Sequence, residues 1–120
     1  MEKNILGIGQ IAFSVKDIKR AKSFYQEKLG LTHLFSSGDL VFFKSGEVRI
    51  LLTLDLQASN SILYFNVSDI LKAFEDMKSN QVEFLQSPHL VARMGNVETW
   101  MAFFKDSEGN TLAIMSEFET

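Results

Sequence analysis

Polar and apolar positions alternate at the start of the chain. Over residues 7–15, Ile11, Phe13 and Val15 fall on one side and Gln10, Ala12 and Ser14 on the other, the two-residue period of a half-buried strand. At Asp17 the period changes. Ile18, Ala21, Phe24, Tyr25 and Leu29 recur at helical spacing, so Asp17 reads as the N-cap of a helix over about 18–29 and Gly30 as the residue that ends it. Short strands are expected at about 31–36, 39–44 and 48–54, with Ser37-Gly38-Asp39 and Ser45-Gly46-Glu47 as tight turns between them. Leu56–Asn60 is polar enough to be a linker.

The second half repeats the plan. A strand at 61–67 puts Leu63, Phe65 and Val67 on one face and Ile62, Tyr64 and Asn66 on the other; Asp69 then caps a helix over about 70–79 that carries Ile70, Ala73, Phe74 and Met77. A strand near 82–86 runs into Ser87-Pro88-His89, where proline interrupts pairing, and residues 90–105 form strands around the turn pair Gly95-Asn96. A turn at Asp106–Asn110 leads to a last strand at 111–117. Phe13, Val15, Asp17, Ile18 and Ala21 recur as Phe65, Val67, Asp69, Ile70 and Ala73 at a constant offset of 52, and Phe42-Phe43-Lys44 is echoed by Phe103-Phe104-Lys105. One β-α-β-β-β unit is thus written twice, which predicts two modules with a cavity between them. Module one spans about 5–55 and module two about 60–118 of a single domain, residues 1–120.

Composition narrows the function classes. Apolar residues make up 46% and charged residues 22%, ordinary for a soluble globular chain, and 120 residues suffice for a core without disulfides or a structural metal. A net charge of −3 with no basic run argues against nucleic acid as a partner. Cysteine is absent, which excludes disulfides, thiolate nucleophiles and thiolate metal sites. Nowhere do about 18 apolar residues stand together and the first residues carry no signal-like run, so no membrane association and a cytoplasmic location are expected.

The stretches Ile8–Asp17, Phe24-Tyr25 and Leu29-Gly30-Leu31, then Phe65–Asp69 and Phe103–Asn110, resemble the two modules of the vicinal oxygen chelate superfamily, which includes glyoxalase I, bleomycin-resistance proteins, fosfomycin-resistance enzymes and extradiol dioxygenases. The resemblance covers almost the whole chain. It implies an α+β fold: two β-α-β-β-β modules building an eight-stranded, curled mixed sheet (an incomplete barrel) with the helices outside. It also implies a homodimer, as is common for members of this size.

Metal-binding members hold four ligands, one near the start of each module's first strand and one on each module's last strand. Carried onto this chain, those positions are Gln10, Ile62, Ala113 and either Arg49 or Ile50, with Arg49 the choice because its neighbours are apolar and a cavity would keep it solvated. Ile62 and Ala113 offer no lone pair, and arginine repels a cation by several kcal/mol at about 4 Å and an effective dielectric of about 20. No metal and no cofactor are therefore expected. Arg49 is instead a candidate anion anchor.

The remaining candidates are Tyr64 and Asn66, which share a strand face, and His89 behind Pro88, with Glu98 and Trp100 beyond it. Trp100 is a candidate platform for a flat ligand, and Phe13, Phe65, Phe103 and Phe104 are read as packing between sheet and helix. His33 is read as structural. The expected function is a glyoxalase- or bleomycin-resistance-like protein that binds a planar or anionic small molecule without a metal, its catalytic residues, if any, unassigned. The alternative is a metal-dependent lyase, isomerase or dioxygenase whose divalent metal is held atypically by His89, Glu98 and Gln10. A third reading is a module that binds another protein.

Overall fold

A computed structural model describes residues 4–54, 61–107 and 109–120; the expected linker at Leu56–Asn60 lies outside them, as does Glu108 of the last turn. The described residues form β1 (Ile5–Ser14), α1 (Ile18–Ser23), β2 (Thr32–Ser37), β3 (Leu40–Ser45), β4 (Val48–Thr53), β5 (Ser61–Val67), α2 (Ile70–Ser79), β6 (Glu83–Phe84), β7 (His89–Met94), β8 (Val97–Lys105) and β9 (Thr111–Glu119). The class is α+β, with parallel and antiparallel pairings mixed. Nine strands stand, as the strand-by-strand pattern places them, where the resemblance implies eight. The segment before Pro88 makes a two-residue strand, β6, and the chain resumes pairing after the proline as β7.

Two compact units partition the chain: Gly9–Leu63, and Tyr64–Thr120 together with the N-terminal residues through Ile8. Asn4 belongs to the second unit and ties to it directly, its Nδ2 donating to Asp76 Oδ2 of α2 at 3.2 Å.

In the Gly9–Leu63 unit the strand order is β2-β3-β4-β1, antiparallel except for the parallel β4/β1 pair. Alternation along these strands separates two faces. Phe13, Val41, Phe43, Ile50 and Leu52 meet Ile18, Ala21 and Tyr25 in one apolar cluster under the helix. The helix departs from expectation after Ser23. Phe24–Lys28 widen into a π-helical turn in which the Leu29 N–H reaches the Phe24 carbonyl at 3.1 Å, and Tyr25 stays stacked over Phe43 at 5.9 Å.

The second unit repeats this plan as β5-β9-β8, with β6 and β7 both paired to β8 and β5/β9 parallel. Ile70, Ala73, Phe74 and Met77 of α2 pack on Val67, Ala102, Phe104 and Ile114. Each large apolar side chain buried there contributes about 1.5–3 kcal/mol. The repeat extends to the caps. Asp17 Oδ1 accepts from the Arg20 N–H at 3.0 Å, and Asp69 Oδ1 accepts from the Lys72 N–H at 3.1 Å, with nearly equal extended backbone angles at both aspartates.

Candidate functional site

Gln10 and Arg49 are brought together by strand register. β1 and β4 run parallel with Gln10 opposite Arg49, Ala12 opposite Leu51 and Ser14 opposite Thr53. These residues alternate with Phe13 and Leu52 of the helix-side cluster, so their side chains lie on the face away from α1. Ile50 belongs to the helix side and Arg49 does not.

On that face Gln10 is wholly buried, and Ala12, Leu51 and Phe42 on the same face are 5% exposed or less. Arg49 Nε donates to Gln10 Oε1 at 3.0 Å. A guanidinium has only donors, so the atom facing it must be the amide oxygen, which fixes the orientation of the amide. Gln10 Nε2 then points elsewhere and, among the described residues, meets no acceptor. Under the guanidinium lies the Phe42 ring, 4.9 Å from Cζ to centroid, and Phe42 stacks in turn on Phe35 at 4.4 Å.

In the second unit Tyr64 is buried and lies edge-on to Phe103 at 5.8 Å, with His89 tilted over the same ring at 6.4 Å. His89 Nδ1 donates to the Ser87 carbonyl at 3.0 Å; a carbonyl only accepts, so this nitrogen carries the proton. Asn66, opposite Met115, shares the face of Tyr64, which is opposite Ala113.

Trp100 and Glu98 turn the other way. Trp100 packs against the α2 cluster, an odd number of residues from Met101 and Phe103, and contacts Phe118 edge-on at 6.5 Å. Trp100 Nε1 donates to Glu98 Oε1 at 3.1 Å, and the Arg93 guanidinium binds the other Glu98 oxygen. The indole first, then Arg93, holds the Glu98 carboxyl below its ordinary range. Hence Trp100 does not share a face with Tyr64, and Glu98 does not approach His89, which stands opposite Met101 on the other side of β8. The expected grouping of His89 with Glu98 is corrected by this register.

Register also corrects the first-module ligand position. Ala12 lies opposite Leu51, and 52 residues on, Tyr64 lies opposite Ala113. The counterpart of Ala113 is therefore Leu51 rather than Arg49, and the positions that the resemblance implies become Gln10, Leu51, Ile62 and Ala113. Three of these have no lone pair to give. The fourth has its oxygen engaged by a guanidinium, so the residues do not fit a divalent cation. Among the described residues, no three His, Asp or Glu side chains gather in a metal-holding cluster.

Sequence reasoning misses Phe42 and Phe103. It assigns Phe103 to helix packing and gives Phe42 no role beyond the echo, whereas the clusters under the helices hold their neighbours Phe43 and Phe104. Phe42 carries the guanidinium and Phe103 carries Tyr64 and His89, and the Phe-Phe echo is the signal that ties them together. His33 packs edge-on against Phe43 and bonds Ser36 Oγ at 2.9 Å, a structural role. No helix among the described residues is long and apolar enough to cross a membrane.

Comparison with known proteins agrees with this architecture. The uncharacterized protein YetH of Bacillus subtilis (strain 168) is 31% identical over 121 residues, covering 89% of this chain and 95% of its own. A hypothetical protein from Bacillus halodurans C-125 superposes with a TM-score of 0.73 at 20% identity, covering 94% of this chain and 95% of its own. Methylmalonyl-CoA epimerase from Mycobacterium tuberculosis does so with a TM-score of 0.71 at 16% identity, covering 97% of this chain and 91% of its own. At these identities the two structures share the fold. The family model of the glyoxalase/bleomycin resistance protein/dioxygenase superfamily matches residues 7–114, and the chain belongs to that superfamily.

Proposed function

We propose that the chain is a small-molecule-binding member of this superfamily that works without a metal, as a homodimer, with the Gln10–Arg49 pair contacting a planar or anionic ligand. The observation that carries this reading is the hydrogen bond from Arg49 Nε to Gln10 Oε1. It engages the one inherited position able to coordinate a cation and sets a positive charge beside it. A half-buried guanidinium is suited to oxyanions, which it binds through charge-assisted hydrogen bonds.

Elemental analysis tests the reading. Purified protein should hold no stoichiometric zinc, nickel, iron or manganese, and a chelator should leave its melting temperature unchanged. About one tightly held transition metal per chain would overturn the reading in favour of a metal-dependent lyase, isomerase or dioxygenase with an atypical site.

A further inference from the structure

We infer that two copies of the chain meet unlike surface to unlike surface, the outer side of α1 and its π-helical turn in one copy covering the Ile5–Ile8 stretch of β1 in the other; the inference rests on the homodimer of the reading above and names its contact. Opposite charge is the first ground. The stretch Gly9–Leu63 carries seven Lys and Arg against five Asp and Glu, a net +2, whereas the rest of the chain carries five against ten, a net −5. The cations gather between Lys16 and Lys28, where Lys16, Lys19, Arg20, Lys22 and Lys28 stand against Asp17 and Glu27. Asp17 is engaged in capping the helix, and Glu27 Oε1 accepts from Ser23 Oγ at 2.9 Å. Among the described residues none of the five cations makes an ion pair.

Apolar surface is the second ground. Ile18, Ala21 and Tyr25 turn toward the cluster beneath the helix, but Phe24 and Leu29, the two ends of the π-helical hydrogen bond, are 47 and 54% exposed. Ile5, Leu6 and Ile8 are likewise exposed, and the chain through Ile8 belongs to the unit that holds the acidic remainder. Both patches thus offer apolar side chains for burial, within surroundings of opposite sign. The other way to cover Ile5–Ile8 with a second copy sets β1 against β1, which brings two units of net −5 together; like charges across a contact disfavour it. Two-fold symmetry makes the α1–β1 contact twice, so two modest patches together approach the roughly 1,200–2,000 Å² of a stable interface.

Cysteine cross-linking of the intact protein reads the contact, because the chain has no cysteine of its own. Leu6→Cys and Phe24→Cys copies, co-expressed with tags of different length and shown folded by circular dichroism, should be joined by a short bismaleimide into a pair holding one of each. Neither variant alone should give more than a trace of cross-linked pair. Arg20→Glu combined with Lys28→Glu, both at exposed positions, should raise the dissociation constant of the dimer at least about tenfold, and added salt should weaken the parent dimer. Efficient cross-linking of Leu6→Cys to itself overturns the inference and sets β1 against β1. Absence of the mixed pair, or a dimer indifferent to the charge reversal, overturns it as well; all three results leave the homodimer standing. A parent protein that is monomeric at micromolar concentration overturns the homodimer and the inference with it.

Discussion

Gln10 and Arg49 face each other across two parallel strands, and the direction of their hydrogen bond, guanidinium to amide oxygen at 3.0 Å, decides what the amide can offer anything else. It also makes the pair a stability element. Replacing Gln10 by leucine removes the acceptor of a half-buried charged donor and should cost about 1–3 kcal/mol. Gln10→Glu supplies a charged acceptor at the same place and should melt above Gln10→Leu. Urea unfolding of both variants at neutral pH measures the difference, and equal midpoints would show that the pair contributes nothing to folding.

The two caps permit a matched comparison. Asp17 and Asp69 accept the same N–H, three residues on, at 3.0 and 3.1 Å. Asp69 heads a ten-residue helix with four buried side chains, whereas the α-helical part after Asp17 has six residues and buries none fully. Each aspartate-to-alanine change should cost about 0.5–2 kcal/mol, and Asp69→Ala should be the larger. Thermal melts of both variants check the order, and a larger loss at Asp17 contradicts it.

Acid should weaken the fold through two carboxylates. Glu98 is held below its ordinary range by Trp100 and then Arg93, and Asp76 by hydrogen bonds from Lys72 and then Asn4. A group with a depressed folded-state pKa contributes stability that is present above its unfolded value and lost as pH falls through the folded one. Trp100→Phe deletes the larger cause at Glu98 and should move its titration upward, toward the ordinary value. Carboxyl-carbon NMR titration reads the midpoint; no upward movement would mean that Arg93 alone sets it.

What the sequence reveals follows from how locally each signal is written. The caps at Asp17 and Asp69, the turn glycines Gly38, Gly46 and Gly95 with their positive φ, and the 3.6-residue stripe of α2 are determined within a few residues, and each is legible without the fold. Trp100 and Glu98 are misplaced by sequence reasoning because their face depends on parity along β8 and on the slip in β7 pairing between Leu90 and Ala92. Register is likewise why Leu51, and not Arg49, matches Ala113: a strand read alone does not reveal which residue stands opposite it. The contact of Arg49 with Gln10 joins positions 39 apart, and the sequence supplies the two residue types without the bond between them.

Self-association is the last expected outcome. β1 exposes Ile5, Leu6 and Ile8 at 46, 71 and 43%, a run of apolar side chains with no charge among Ile5–Gly9. Covering such a strand against a second copy removes apolar area from water, and a stable interface of this kind buries on the order of 2,000 Å² or more in total. Light scattering should therefore return about twice the 13.6 kDa chain mass at micromolar concentration. Leu6→Asp places a charge at the most exposed of the three positions and should shift the population toward monomer without lowering the helical signal in circular dichroism. A parent protein that runs as a 13.6 kDa monomer contradicts the dimer, and a dimer unaffected by Leu6→Asp places its interface elsewhere on the chain.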